Sequence, residues 1–272
     1  MLDYPEIKTI ASQMNTALIG KTVESGMMVN KNSNLFMFEY PAAQYDLLCG
    51  GTVIRIEDLG EEIYIMLDNG YGILFCTCGG KILYNESTPP DKYNVIFHFT
   101  DGSNLSYSMK LCTMGIYAVS HEEWKKRIER NQKFVPLGNH SFKDYNDFIK
   151  DKTDEETKKP VKIFLAKNIS GVGSSFAAEI LLYAKIYPSI QLRKLNDEQH
   201  KRMYESMKSV LTAAYDKGGK VSECDLYGQK GKYIIMAERK HIGEKCPICG
   251  NILEKTSIGG VAAFCSSCQV KK

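Results

Sequence analysis

The chain has 272 residues, of which 43% are hydrophobic and 25% are charged, and this length suits two domains plus a small module. No apolar run approaches the roughly 20 residues that span a bilayer, and no basic segment followed by an apolar stretch opens the chain, so we expect a cytoplasmic protein. The net charge of +3 permits binding to nucleic acid without requiring it.

The opening residues, MLDYPEIKTI, predict a helix that begins almost at the chain start. Asp3 and Glu6 have the spacing of a capping box, in which each side chain accepts a hydrogen bond from the other residue's backbone N–H. Pro5 falls in the first turn, and Gly20 would end the helix. Chain ends usually fray, so a fixed amino terminus needs a reason.

Residues 21 to 120 contain short β-rich runs such as EEIYIMLDNG, YGILFCTC and YNVIFHFT, separated by turn sequences rich in Gly, Asn, Asp and Pro. Strands at this spacing predict a β-sandwich or barrel. The stretch PAAQYDLL, residues 41 to 48, predicts a short helix inserted among the strands.

A strongly charged segment follows and ends in Pro136 and Gly138, which indicates a domain boundary. After it, apolar positions at three- and four-residue spacing predict helices, and a short basic stretch leads into a cysteine-rich end. The predicted parts are an N-terminal β-sandwich domain with a leading helix (1–124), a linker (125–140), a helical domain (141–227) and a C-terminal module (228–272).

The cysteine-rich end has the spacing C-x2-C-x15-C-x2-C, which is typical of a zinc ribbon. We predict that one structural Zn²⁺ is bound by Cys246, Cys249, Cys265 and Cys268. Four thiolate ligands leave no open position for catalysis, and so short a segment needs the metal to fold. The alternative is a set of buried cysteines without metal. The other five cysteines are predicted to be small core residues.

The segment IFLAKNISGVGSSFAAEILLYA predicts two apolar helices joined by a turn at Gly171 and Gly173. Ser174 and Ser175 open the second helix, whose first N–H groups and dipole would suit a phosphate. A plain helical hairpin with a serine cap explains the same residues.

Three segments in chain order resemble one known family: the opening PEIKTI, the stretch KKPVKIFL with ISGVGSSFAAEILLYAKIYP, and the ribbon from CPICG to FCSSCQ. They are similar to the amino terminus, the helix–two-turn–helix segment and the zinc finger of the formamidopyrimidine-DNA glycosylase and endonuclease VIII family. The resemblance covers nearly the whole chain. It implies a multidomain α+β fold, zinc, and a monomer that binds double-stranded, damaged DNA.

Enzymes of this family attack the sugar C1′ with the secondary amine of an N-terminal proline, and an adjacent glutamate handles protons. Here Leu2 stands at the proline position and Asp3 at the glutamate position. Bulky Leu2 should also hinder removal of Met1, which would leave the terminal amine one residue out of place. Asp3 and Glu6 are the candidate catalytic carboxylates, although helix capping alone also explains Asp3.

Other positions that contact DNA in the family also differ. The strand lysine aligns with Glu61, the zinc-finger arginine aligns near Gly260, and the phosphate-binding asparagine is replaced by Ser174. The two segments that enter the gap left by a flipped base align with residues 75–78 and 112–114, which lack the family's side chains. Scaffold positions match, whereas positions for chemistry and DNA contact do not.

Our first hypothesis is therefore a DNA-binding family member that has lost catalysis and serves as a repair accessory. Basic residues beside the ribbon support it, although an ordinary solvated face explains them too. The candidate DNA-binding residues are Lys162, Gly171, Gly173, Ser174, Lys240 and Lys245, with Lys230, Lys232 and Arg239 as further basic neighbours.

Two alternatives stay open. One is an active glycosylase and AP lyase that uses a relocated amine, from Met1 or a lysine such as Lys8, with Asp3 or Glu6 for protons. The other is a scaffold that has left DNA and binds a protein through exposed charged helices.

Overall fold

The structure of the protein is a computed structural model that describes residues 2–28, 42–76, 80–108 and 115–271. The chain divides into two units, Met1–Asn131 with Lys217–Lys232, and Gln132–Asp216 with Tyr233–Lys272. We call them unit 1 and unit 2. The first division falls inside the predicted linker. The second differs from the prediction, because residues 217–232 belong to unit 1, whereas the prediction divides them between the helical domain and the C-terminal module.

Unit 1 is a β-sandwich with a leading helix. One antiparallel sheet has the strand order β1-β6-β7-β5 and the other β2-β3-β4-β8. The elements are α1 (Tyr4–Ala17), β1 (Val23–Met28), β2 (Val53–Asp58), β3 (Glu62–Leu67), β4 (Tyr71–Cys76), β5 (Lys81–Asn85), β6 (Val95–Phe99), β7 (Asn104–Ser108), β8 (Ile116–Ser120) and α2 (His121–Arg130). A 3-10 helix at Ala42–Leu48 matches the predicted short helix.

The core of unit 1 joins α1 to both sheets. Ile7, Ile10 and Met14 lie three and four residues apart and are fully buried in the same cluster as Ile65 and Phe97. Helix α2 occupies part of the predicted linker, since Trp124 is buried and stacks on Tyr64 at a ring-centroid distance of 4.9 Å. This burial explains why a strongly charged sequence forms a regular helix on the sandwich.

Residues 217–232, which we call the return segment, attach to α1 at two places. Near the start of α1, the backbone N–H of Lys220 donates to Oε1 of Glu6 at 2.8 Å. Two turns further along α1, Gln13 Nε2 donates to Oδ2 of Asp225 at 2.8 Å, and the Leu226 N–H donates to Gln13 Oε1 at 2.9 Å. Leu226 is fully buried in the core of unit 1, which makes the segment part of that core.

Gly219 makes the close approach of the return segment to α1 geometrically feasible. Its φ is +94°, a region that L side chains rarely adopt, and a Cβ there would lie 2.7 Å from both Cγ and Oε1 of Glu6. Neighbouring Gly218 also has a positive φ, of +69°, but a Cβ at that position would meet nothing within 4 Å. Substitution of Gly218 by alanine would introduce backbone strain alone, whereas the same substitution at Gly219 would add a steric conflict with Glu6.

Unit 2 combines helices with a small hairpin. Its elements are α3 (Phe142–Lys150), α4 (Asp154–Thr157), α5 (Val161–Asn168), α6 (Ser174–Ala184), α7 (Asp197–Asp216), β9 (Glu254–Thr256) and β10 (Ala262–Phe264). Phe164, Phe176 and Met207 are fully buried at its centre. None of the helices in the described parts of the chain is both long and apolar enough to cross a bilayer.

We predict that Gly219→Ala lowers the free energy of unfolding by about 2–4 kcal/mol, because left-handed strain adds to overpacking against a buried carboxylate. Gly218→Ala is the matched control and should cost only about 1 kcal/mol of backbone strain. Urea unfolding followed by tryptophan fluorescence measures both, since Trp124 is the single tryptophan and lies in unit 1. Equal unfolding midpoints for the two variants would contradict the close contact with Glu6.

Candidate functional site

The four predicted metal ligands come together in unit 2. The Sγ atoms of Cys246, Cys249, Cys265 and Cys268 all lie within 4.8 Å of one another. In the first turn the Ile248 N–H donates to the Cys246 Sγ at 3.4 Å, and Gly250 adopts a φ of +79° that closes the turn. Such a set of convergent sulfurs can hold one four-coordinate metal ion.

Helix α6 begins after the predicted glycine turn. Gly171 has a φ of +66°, and Gly173 is the N-cap. The N–H groups of Ser174 and Ser175 belong to the first turn and have no acceptor within the helix. The Ser174 hydroxyl donates to the Gly259 carbonyl at 2.6 Å, so this side chain holds the loop between β9 and β10.

Lys162 also holds the loop between β9 and β10, through hydrogen bonds from its side chain. Its side chain is only 1% exposed, and its Nζ donates to the Gly260 carbonyl at 3.1 Å and lies 3.5 Å from the Gly259 carbonyl. Loss of solvation lowers the pKa of the Lys162 ammonium to about 8. Lys162 therefore has an internal role, in which it positions the β9–β10 loop, and its direct contact with DNA stays a prediction.

A groove of about 540 Å³ opens at the start of α6. We call it the α6 groove; its polar lining comes from Ser174, Ser175, Glu238, Arg239 and Lys240. Arg239 and Lys240 are exposed, and the Lys240 Nζ forms an ion pair with the Glu238 carboxylate at 2.8 Å. The arrangement offers a guanidinium and a helix N-terminus to an anion.

A buried carboxylate fixes the backbone that leads to Arg239. Glu179 of α6 is fully buried, and its Oε2 accepts the Ala237 N–H at 2.8 Å while its Oε1 accepts the Tyr233 hydroxyl at 3.3 Å. Burial raises the pKa of Glu179 to about 7, although these hydrogen bonds favour its ionised form.

The remaining predicted basic residues lie elsewhere. Lys245 is exposed at the start of the ribbon, where its backbone forms a β-bridge with Ile252, and Lys230 and Lys232 belong to unit 1.

The residues predicted to carry chemistry lie in the interior of unit 1. Leu2 is 4% exposed and packs in the core, while Asp3 and Glu6 are each 2% exposed. The Asp3 N–H donates to Oε2 of Glu6 at 2.8 Å, which completes the predicted capping box. The side chain at the family's nucleophile position is therefore a core residue, and both carboxylates are shielded from solvent.

Lys220 enters this acidic cluster from the return segment, and nothing in the sequence pattern predicts it. Its Nζ contacts Oδ2 of Asp3 directly and lies 3.9 Å from Oε2 of Glu6 and 4.0 Å from Oε1 of Glu223. Burial alone would lower the pKa of Lys220, but attraction to Asp3 and Glu6 raises it. Burial raises the pKa of Glu6 to about 7 despite the nearby ammonium. The one local signal is the Gly218-Gly219 pair that precedes Lys220.

The turn between β2 and β3 carries acidic residues, including half-buried Glu61 at the family's lysine position. Lys8 Nζ pairs with Oδ2 of Asp58 at 3.1 Å, and Arg127 clasps Glu62 through Nε and Nη2 at 2.9 and 2.8 Å. These cations bind the protein's own carboxylates.

Met1, residues 77–78 and residues 112–114 lie outside the described residues, so the expectations placed on them stay predictions.

Comparison with known proteins shows similarity to one group of enzymes. Residues 1–110 match the profile of the formamidopyrimidine-DNA glycosylase N-terminal domain. The formamidopyrimidine-DNA glycosylase of a Bacillus cereus strain is 27% identical over 99% of this chain and 99% of its own length. The enzyme of the same name from Bacillus licheniformis is 29% identical over the full length of both chains.

Solved structures share the fold at low identity. The MutM (Fpg) protein from Thermus thermophilus superposes with a TM-score of 0.82 at 20% identity, over 99% of both chains. The Lactococcus lactis Fpg, solved in complex with DNA containing an abasic site, gives 0.83 at 20% identity over 99% of this chain and 100% of its own. The chain is therefore similar to formamidopyrimidine-DNA glycosylases over its whole length and shares the fold of the solved Fpg proteins.

Proposed function

We propose that this protein binds double-stranded DNA that carries damage, in particular an abasic site, and that it has lost base removal by its amino terminus. Relatives at 27–29% identity are named as DNA glycosylases. The Lactococcus lactis relative has been solved on DNA containing an abasic site and on DNA containing Fapy-dG. The relatives indicate damaged DNA as the ligand, whereas the loss of base removal is inferred from the residues of this chain.

The observation that carries the loss of base removal is the burial of Leu2, Asp3 and Glu6 with Lys220. Attack on the sugar needs an unblocked amine at the start of the chain and a carboxylate able to exchange protons with the substrate. Leu2 offers an aliphatic side chain in the core, and the Asp3 carboxylate is engaged by the Lys220 ammonium. Neither group is available for that reaction in this arrangement.

Support for DNA binding comes from the α6 groove. A phosphate placed there would accept hydrogen bonds from the first N–H groups of α6 and face the exposed Arg239 guanidinium. Lys240 contributes less, because Glu238 already neutralises much of its charge. In unit 1 the β2–β3 turn presents Glu61 where the resemblance places a lysine, so this turn adds no cation for a phosphate. We therefore propose weaker binding than a protein with a continuous basic face would show, with a modest dependence on salt.

We propose that the metal ion of the cysteine cluster is Zn²⁺. A tetrahedral site with Zn–S bonds of about 2.3 Å places its sulfurs roughly 3.8 Å apart, and the Sγ atoms of Cys249 and Cys265 are 3.5 Å apart. This spacing and the convergence of all four sulfurs within 4.8 Å support zinc as the ion. The ion would supply folding energy to the ribbon and, through it, hold the β9–β10 loop next to the α6 groove.

For DNA binding, we predict that Arg239→Ala weakens affinity for an abasic-site duplex about tenfold and lowers the salt slope by about 1, as expected for loss of one phosphate contact. Arg193→Ala is the control, since Arg193 pairs with Asp154 at 3.5 Å outside the groove lining. Fluorescence anisotropy at several salt concentrations measures both. Negligible affinity of the unmodified protein for every duplex at low salt would end the proposal.

For base removal, we predict no release of Fapy-guanine from a Fapy-dG duplex, even with protein in excess, because the amine and carboxylate are not available. Mass spectrometry of the liberated base in a single-turnover reaction provides the measurement. The Lactococcus lactis relative serves as the positive control under identical conditions. Release at a comparable rate by this protein would overturn the proposed loss of chemistry.

For the metal, we predict about one zinc per chain, lost in Cys265→Ser because three remaining thiolates hold the ion far less tightly. Cys49→Ser is the matched control, since Cys49 is an exposed thiol in unit 1. Elemental analysis of the purified proteins checks the metal content. Full zinc content in Cys265→Ser would show that the ion sits elsewhere.

A further inference from the structure

Lys162 places a positive charge in the interior of unit 2 without a negative partner. It is 1% exposed, and its Nζ meets only carbonyl oxygens, those of Gly260 at 3.1 Å and Gly259 at 3.5 Å. Among the residues that the structure describes, no carboxylate forms an ion pair with it. Carbonyl dipoles replace only part of the solvation that a buried ion loses. A nearby anion from outside the chain would therefore stabilise this ammonium.

The ammonium lies directly behind the wall of the α6 groove. The Gly259 carbonyl oxygen accepts the Ser174 hydroxyl at 2.6 Å and lies 3.5 Å from the Lys162 Nζ, so one carbonyl group separates the charge from the first turn of α6. Ser174 lines the groove and Lys162 does not. A phosphate in the groove would feel the ammonium without touching it. Because protein fills the space between them, this attraction is screened less than one between exposed charges.

Few other ionisable groups face Lys162. The stretch 257–261, which accepts its hydrogen bonds, contains none, and neither does the stretch 188–190, which pairs with the start of α5. The charged residues of the groove lining are Glu238, Arg239 and Lys240. Helix α6 carries the buried Glu179. Loss of solvation alone lowers the pKa of Lys162 to about 8, without a contribution from either carboxylate.

We propose that the buried Lys162 ammonium strengthens the binding of a DNA phosphate in the α6 groove through space and couples that binding to the uptake of a proton. This inference rests on the proposed function, since it needs the groove to bind a DNA phosphate. It goes beyond that function by making affinity depend on pH through a residue that does not touch the ligand. Arg239 remains the cation that contacts the phosphate directly.

The direction of the pH dependence follows from the burial of Lys162. Because the pKa of this lysine is lowered to about 8, the free protein contains both the ammonium and the neutral amine at slightly alkaline pH. A phosphate nearby favours the ammonium, so its binding raises the pKa and a proton is taken up from solution. Under more acidic conditions the lysine is charged in both states, and its effect on affinity is constant. At alkaline pH the lysine must first be protonated, and affinity falls.

The test measures binding of the full-length protein to a duplex that contains a tetrahydrofuran abasic analogue. We expect the affinity, followed by fluorescence anisotropy, to fall about fivefold between pH 7 and pH 9. Titration calorimetry in two buffers with different heats of ionisation counts the protons exchanged. We expect uptake of about 0.4 proton per complex at pH 8 and almost none at pH 6.

Three variants assign this effect to Lys162. Lys162→Met removes the charge and keeps the length of the side chain, so it should weaken binding about tenfold at pH 7 and abolish the proton uptake at pH 8. Lys162→Arg stays charged at every pH used and should bind equally well at pH 7 and pH 9. Lys167→Met is the matched control, because Lys167 is an exposed lysine of the same helix outside the groove lining. It should keep the proton uptake of the unmodified protein.

The outcomes separate this inference from the proposed function. Binding without proton uptake at pH 8 overturns the role of Lys162 and leaves DNA binding intact. Uptake that persists in Lys162→Met belongs to another group, such as the Met1 amine, and also overturns it. Negligible affinity for every duplex at low salt removes both proposals together.

A second measurement covers the case in which Lys162→Met fails to fold. Nuclear magnetic resonance of the unmodified protein with ¹³C-labelled lysine side chains follows the titration of each amine. One lysine that titrates near pH 8 in the free protein, and at higher pH in the complex with DNA, supports the inference. The same titration midpoint with and without DNA overturns it.

Discussion

The burial of two carboxylates at the start of α1 is the constraint on which unit 1 depends. Ionised groups taken out of water need partners close by, and the first turn of α1 supplies only part of that need through its N–H groups and dipole. The chain meets the rest with Lys220, more than two hundred residues further along, whose backbone and side chain both reach the pair. Removing that single cation would leave uncompensated charge in the core.

In unit 2, too, polar side chains form hydrogen bonds inside the protein. Lys162 and Ser174 resemble residues that would grip a phosphate, yet both donate to carbonyls of the β9–β10 loop. The loop is thereby fixed beside the start of α6, and the α6 groove keeps Arg239 as its main exposed cation. Metal binding, loop position and groove shape are consequently linked within one unit.

Local patterns in the sequence predict much of this arrangement. The capping box at Asp3 and Glu6, the glycine turn before α6 and the four-cysteine spacing each depend on residues close in the chain, and each is found in the structure. Lys220 escapes prediction because its partners are distant and no periodicity marks it. The burial of Lys162 is not predicted for a related reason. A lysine in an apolar helix does not indicate which distant backbone carbonyls will accept its hydrogen bonds.

The return segment has a consequence for how the protein is made. Unit 1 contains Met1–Asn131 and Lys217–Lys232, so its parts are separated by most of the helical residues of unit 2. During synthesis the N-terminal sandwich emerges first, but it lacks the lysine that neutralises its acidic pair until α7 has also left the ribosome. The nascent sandwich is therefore incomplete until Lys220 has been synthesised. A gene fragment ending near residue 131 would encode a domain whose buried Asp3 and Glu6 lack the Lys220 ammonium.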